Sequence, residues 1–303
     1  MKLYAPSYYE RFSCIAGSCK HSCCIGWEID VDDDTMEYYK TVGGEFGKRL
    51  ADSIDAIGEC PHFRLGKDER CPFLNKDNLC DIIINLGDEA LCSICYDHPR
   101  YRNFLSDRTE IGLGLCCEAA AELILGERER VTLHLLRDDG DETEPDAVDE
   151  EFFALRERIF DIIQDRSFGI GERLARLSNE LDVPLPKGDA GSFAELLLSF
   201  EILDPDWGDR MTRVKNAGVP LAEEYSDEIA AEQILCYFIY RHLADGLYDG
   251  RIKERIAFAV LGLKMIFTVS GVCQIPLTEA ARAYSSEIEY SEENTDKLLE
   301  ALG

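Results

Sequence analysis

Eleven of the thirteen cysteines in this 303-residue chain lie between Cys14 and Cys117, and no other feature limits the fold as severely. They come in local groups: Cys14, Cys19, Cys23 and Cys24 as C-x4-C-x3-C-C, Cys71 and Cys80 at the ends of CPFLNKDNLC, Cys92 and Cys95 as C-x2-C, and the adjacent Cys116 and Cys117. Short spacings let one turn or one helical face present two thiolates to the same ion, while longer separations draw ligands from other loops. The N-terminal MKLYAPSYYERFSC has no basic segment followed by an apolar run and a small-residue cleavage site, so the expected location is cytoplasmic. In a reducing compartment a dense cysteine group points to metal rather than to disulfides.

Zinc and iron-sulfur both suit thiolates, and spacing alone leaves both open. A zinc module usually shows two C-x2-C or C-x2-H knuckles, and only one C-x2-C is present, so the pattern leans toward iron-sulfur, with zinc as the alternative metal. His21, His62 and His98 fall among the cysteines and leave mixed ligation open. Cys236 and Cys273 stand apart in apolar, helical-looking sequence and read as small core residues. Radical enzymes that use S-adenosylmethionine typically carry C-x3-C-x2-C; Cys19 and Cys23 begin that spacing, but Gly26 occupies the third position.

Charge narrows the partners. Sixty acidic against 32 basic residues give a formal net charge of -28. That excludes nucleic acid, which needs clustered positive charge, and disfavours an anionic membrane surface. A lysine-bearing protein would be attracted. The apolar run from Ile256 to Cys273 approaches the length of a membrane span, but Lys264 sits near its middle and four charged residues occupy 251–255 just before it. It reads as a buried core helix.

The expected architecture is mainly α, with a small irregular cysteine-rich part, a short β-hairpin and a helical C-terminal domain. The cysteine domain is expected over 1–136, an acidic linker (DDGDETEPDAVDEE) within 137–151, and the helical domain over 152–303. Tyr101 to Leu115 reads as the hairpin, turning about Ser106, Asp107 and Arg108. Helices are expected over 35–57, despite Gly43 and Gly44, and over 118–136. Ala230, Ile234, Leu235, Phe238 and His242 recur at helical spacing. Thr278 and Ser291 are expected helix caps. Gly112 and Gly114 lack the third glycine and following helix of a dinucleotide-binding turn, and no phosphate loop or nucleophile turn is present.

FSCIAGSCKHSCCIGWEIDVD, CPFLNKDNLCDIIINLGDEALCSICYDHPR and LGLCCEAAAELIL together resemble the flagellin lysine N-methylase (FliB-type) family, which shares cysteine patterns with YkgJ-type cysteine-cluster proteins. EQILCYFIYRHLADGLYDGRIKERIAFAV and YSSEIEYSEENTDKLLE look like that family's C-terminal part. The family pattern falls on Cys14, Cys19, Cys23, Cys24, Cys71, Cys80, Cys92, Cys95 and Cys116, leaving Cys60 and Cys117 outside it; at Cys117 the family has proline. Nine positions exceed what one four-iron cluster uses. Some are then structural, or a second metal is bound.

The resemblance implies methyl transfer from S-adenosylmethionine to lysines of flagellin, with a [4Fe-4S] cluster involved. A free lysine, with a pKa of about 10.4, must lose its proton before it attacks, so its pocket needs apolar surroundings or a base. Arg100 is a candidate anchor for the cofactor carboxylate, because a guanidinium binds a carboxylate through two bonds. Tyr237, Tyr240 and Arg241 are candidates for lining the lysine pocket. Two other readings carry the same cysteines: a structural zinc or iron module that binds another protein, and an electron-transfer or redox-sensing protein.

Overall fold

A computed structural model describes residues 1–57, 60–140 and 144–303, and its contacts divide the chain into two compact units. Ser13–Arg100 forms one; Met1–Phe12 and Tyr101–Gly303 form the other. The chain is mainly α-helical with two small sheets.

The larger unit contains a four-stranded sheet in which Lys2–Pro6 runs parallel to Arg108–Leu113 and antiparallel to Leu133–Asp138. Arg100–Phe104 and Arg108–Leu113 are neighbours joined by three residues, as the hairpin reading expects. Gly112 is required there, because a Cβ would meet the Tyr101 ring at 2.3 Å. The second half is helical nearly throughout. Asp146, Asp189, Asp204, Asp227 and Ser291 each accept a bond from a first-turn backbone N–H of the helix they precede.

Glu228–His242 and Ile252–Cys273 pack at the centre, and both are buried on all sides, which is the pattern of a core helix. Ile252–Cys273 is long and apolar enough to cross a membrane by length and composition, and 83% of its apolar window is buried inside the protein. Gly262 lets the two helices close, since a Cβ would stand 2.8 Å from the Phe238 ring. Two buried acids organise the remaining contacts. Glu110 takes both Arg156 amino groups at 2.5 and 2.6 Å, and Glu232 holds Arg166 and Arg173 at 2.9 and 2.7 Å.

The smaller unit has helices Asp33–Thr41 and Gly44–Ser53, a two-stranded ladder of Ile54–Asp55 with His62–Phe63, and short helices Asp81–Leu86 and Ser93–Asp97. Its core is small, with Ile29, Tyr39, Leu50, Phe63 and Phe73 packed alongside Cys71 and Cys92. Domains with so little apolar burial are commonly held by metals or cross-links.

Four expectations change. The helix expected over 35–57 is two helices, because Gly44 adopts φ +73° and the Gly47 Cα packs where a Cβ would stand 1.8 Å from the Val42 carbonyl. The helix expected over 118–136 ends at Gly126, and 133–138 becomes a strand because pairing with Lys2–Pro6 outweighs local preference. The cap expected at Thr278 falls inside Leu277–Tyr284, which starts after Pro276. The units part at 12–13 and 100–101, whereas residues 137–138 belong to a strand and 147–151 to helix Ala147–Ile163; within the expected linker, residues 141–143 lie outside the described residues.

Asp32 ties two pieces of the smaller unit together. Its carboxylate accepts from Thr35 N at 3.0 Å, Thr35 Oγ1 at 2.9 Å and Ser93 N at 2.8 Å. Burial pushes its pKa up, but these bonds outweigh it and bring it from 3.8 down to about 2. Asp32→Ala is expected to cost about 2 kcal/mol in urea unfolding at neutral pH. A carboxylate whose folded pKa is depressed stabilises above its unfolded pKa, so the cost should fade between pH 3.8 and about 2.

Candidate functional site

CPFLNKDNLC brings its end cysteines together through a turn built by Asn75. The Asn75 Oδ1 accepts from Asp77 N at 2.9 Å and Leu79 N at 3.0 Å, and Leu74 pairs with Cys80 across the turn. Arg70 closes the same turn on Leu74 O, Asn75 O and Asn78 Oδ1. Backbone pairing of Cys71 N with Cys24 O, at 2.9 Å, brings in the first cysteine group. Cys92 and Cys95 sit one turn apart at the start of Ser93–Asp97, so their thiols share a face.

Cys24, Cys71, Cys80, Cys92 and Cys95 thus lie in the smaller unit within electrostatic reach of one another in pairs, Cys95 with Cys92, Cys24 and Cys71, and Cys24 with Cys71 and Cys80. Burial raises Cys71 to about 12 and also raises Cys80. Within the Cys92–Cys95 pair the hydrogen bond favours the thiolate on Cys92 and the thiol on Cys95. Cys24 is lowered to about 7, first by a hydrogen bond from Cys23, against burial, and then by Ser22 and the nearby Arg70 charge. Tyr39 backs the pocket, donating to Ala90 O at 2.8 Å with its hydroxyl 3.8 Å from Cys92 Sγ.

The remaining expected ligands are placed differently. Cys14 and Cys23 are exposed and Cys19 is half-buried, its thiol on His21 O at 3.3 Å. Cys116 belongs to the larger unit, where it interacts with Tyr290 and Arg241 and burial raises it to about 12. Cys60 is exposed, Cys236 is buried, and Cys273 faces Arg210 O at 4.0 Å. His62 lies 3.7 Å from Glu28, and His98 is half-buried against Trp27, its pKa lowered by burial to about 4. Arg100 donates to Tyr96 O at 3.1 Å. Among the described residues, no three His, Cys, Asp or Glu side chains are grouped so as to hold a single metal ion.

The larger unit has a polar cavity of about 330 Å³ with Arg241, His242 and Glu289 in its wall. Glu289 ends the π-helical turn Ser285–Glu289, a local widening that often accompanies functional sites. Its Oε2 receives Tyr237 Oη at 2.8 Å, Arg241 Nε at 3.1 Å and His242 Nε2 at 2.6 Å. Burial opposes its charge, but Arg241 and His242 keep its pKa low. Burial also lowers His242, against the pull of Glu289, so the imidazole stays neutral.

Of the three residues suggested for a lysine pocket, Arg241 reaches this cavity. Tyr237 is the buried donor behind it, and the Tyr240 hydroxyl goes to the carbonyls of Tyr4 and Ile111. Sequence reasoning missed Glu289 and saw His242 only as part of a periodic run. The apolar helix around His242 carries no local signal for a carboxylate partner 47 positions away. Gly114 borders the same group, since a Cβ there would stand 2.8 Å from Tyr290 Oη and 3.2 Å from Cys116 Sγ.

No protein-family model and no solved structure matches the chain. Curated relatives do. A lysine-N-methylase of Salmonella typhimurium (strain LT2) is 26% identical over 134 residues, 42% of this chain and 33% of that protein, and one of Salmonella choleraesuis is 25% identical with the same coverage. The flagellar biosynthetic protein FliU of Salmonella muenchen is 25% identical over 134 residues, 42% of this chain and 79% of that protein. The match spans about a third of the length of the two methylases. Over that stretch the chain is a distant relative of lysine-N-methylases and of FliU, in agreement with the resemblance carried by its cysteine motifs.

Proposed function

We propose that the protein transfers methyl groups from S-adenosylmethionine to lysine side chains of a flagellin-like protein, with an iron-sulfur cluster in its cysteine-rich unit. The observation that supports this reading is the placing of Cys24, Cys71, Cys80, Cys92 and Cys95 in one small unit, Cys71 paired to Cys24 and Cys92 one turn from Cys95, in a chain related to lysine-N-methylases. The donor set fits such a group. It is all sulfur, with Cys71 and Cys92 buried and Cys24, Cys80 and Cys95 half-buried, and it holds enough thiols for a [4Fe-4S] cluster that keeps one iron free of protein ligands. Zinc is the alternative metal for the same thiols.

When bound, such a cluster with one iron free of protein ligands would supply an anchor for the amino and carboxylate groups of the cofactor. The chain's own residues prepare the thiols: Arg70 favours thiolate at Cys24, and Tyr39 supports the charge at Cys92. A neutral lysine amine attacks a sulfonium methyl directly, so no radical step is needed. In the larger unit, the Glu289 carboxylate is matched by Arg241 and fixes the His242 ring. His242, donating through Nε2 to Glu289, keeps Nδ1 free of a proton and available as a base.

Two measurements on one anaerobic preparation test the proposal: iron and sulfide content with the visible spectrum, and mass-spectrometric detection of methyl groups on flagellin lysines with S-adenosylmethionine supplied. Brown protein with stoichiometric iron and sulfide and methylated lysines is expected. A colourless zinc protein without transfer would sink the reading, and a brown one without transfer would leave the electron-transfer alternative. For the base, His242→Gln is expected to slow transfer by roughly a hundredfold or more at unchanged iron content. Unchanged rates would remove His242 from the chemistry.

A further inference from the structure

Lys264 is the one charge in the apolar run Ile256–Cys273 and is out of place in a core helix unless something meets it. Its side chain is 7% exposed, and among the described residues its ammonium makes no hydrogen bond. The nearest carboxylate, Glu223, is 3.9 Å away and 70% exposed, so it is well solvated and a weak counter-charge. The ammonium opens into a cavity of about 390 Å³ in the larger unit, separate in its lining from the Glu289 cavity. Leu174, Ala175, Leu185 and Tyr225 give that cavity an apolar side, and Lys187 adds a second cation.

We infer that this cavity binds a small monocarboxylate with a short apolar tail, its carboxylate on Lys264 Nζ beside Lys187 and its tail against Leu174, Leu185 and Tyr225. The volume falls in the range of small-ligand pockets, and the mixture of an apolar wall with a few polar groups is typical of them. The Lys264 stem is buried while its ammonium, held only by the solvated Glu223 at 3.9 Å, faces the cavity, and a bound carboxylate would give it a closer counter-charge. Burial lowers the Lys264 pKa, Glu223 opposes that shift, and Lys187 adds a smaller lowering. A phosphate dianion suits the site less, because one wall is apolar and no arginine lines the cavity among the described residues. The net charge of -28 opposes larger polyanions.

Titration calorimetry of the full chain with straight-chain carboxylates from acetate to octanoate tests this. Affinity is expected to rise by roughly fourfold per methylene until the cavity is filled. Lys264→Met, which replaces the buried charge by a side chain of similar length, is expected to weaken hexanoate binding at least about thirtyfold. It should melt no lower than the parent protein, so a folding defect will not mimic the result. Three outcomes overturn the inference: no carboxylate binds, Lys264→Met binds hexanoate as well as the parent does, or hexanol or inorganic phosphate binds as tightly as hexanoate. None of these depends on iron content or methyl transfer.

Discussion

Cys95→Ser is expected to lower cluster occupancy at least about a hundredfold in effective iron affinity and to abolish methyl transfer, while Cys60→Ser leaves both unchanged. Cys95 is the thiol that interacts with Cys92, Cys24 and Cys71 together, so it stands at the junction of three sequence groups. Loss of residues that merely support a ligand typically costs 10–100-fold in metal affinity, and loss of a ligand costs more. The same exchange at Cys71 or Cys80 should act alike, since both face Cys24. Cys60, exposed and outside the family pattern, is the internal control. The readouts are iron and sulfide per chain and the visible spectrum after anaerobic purification. Full occupancy in Cys95→Ser would move the centre away from this pocket.

The second large effect concerns stability. Glu110→Ala should destabilise the larger unit by about 3–5 kcal/mol, because it leaves Arg156 charged, buried and unpaired. Both side chains are almost wholly enclosed, at 0% and 5% exposure, and the Arg156 guanidinium also lies over Phe152 at 5.0 Å and Tyr240 at 5.5 Å. Glu110 sits in Arg108–Leu113, the strand that pairs with Lys2–Pro6, so the loss should spread to the sheet. Changing both partners, Glu110→Met with Arg156→Met, should recover most of the difference, since a buried ion pair contributes little net stability over apolar residues of similar volume. Urea unfolding of the single and double variants gives the comparison, and a single variant within 1 kcal/mol of the parent would contradict the argument.

What the sequence disclosed depended on whether the signal was local. The C-x2-C of Cys92 and Cys95 and the bracketing pair Cys71 and Cys80 were legible because one turn carries both thiols of each pair. The structure leaves Cys14 exposed and draws Cys24 inward, a distinction fixed by the backbone pairing of Cys24 with Cys71 across 47 positions, while the exposed Cys23 stays hydrogen-bonded to Cys24. The strand at 133–138 was read as helix because its partner is the chain's first few residues, which local propensity does not register. The break at Gly43 and Gly44 was visible as a weakness and proved to be a true interruption. Asp32, Tyr39 and Glu289 left no sequence trace of their roles, since each acts on a group far along the chain.

The division of the chain also sets an order of events during synthesis. Every residue of the cysteine-rich unit has been made once Arg100 is added, whereas the strand Lys2–Pro6 must wait for 108–113 and 133–138 before its ladders close. Compact units fold as they emerge. A nascent chain stalled after residue 100 should therefore already pair Cys71 with Cys24, before the sheet of Lys2–Pro6 is complete.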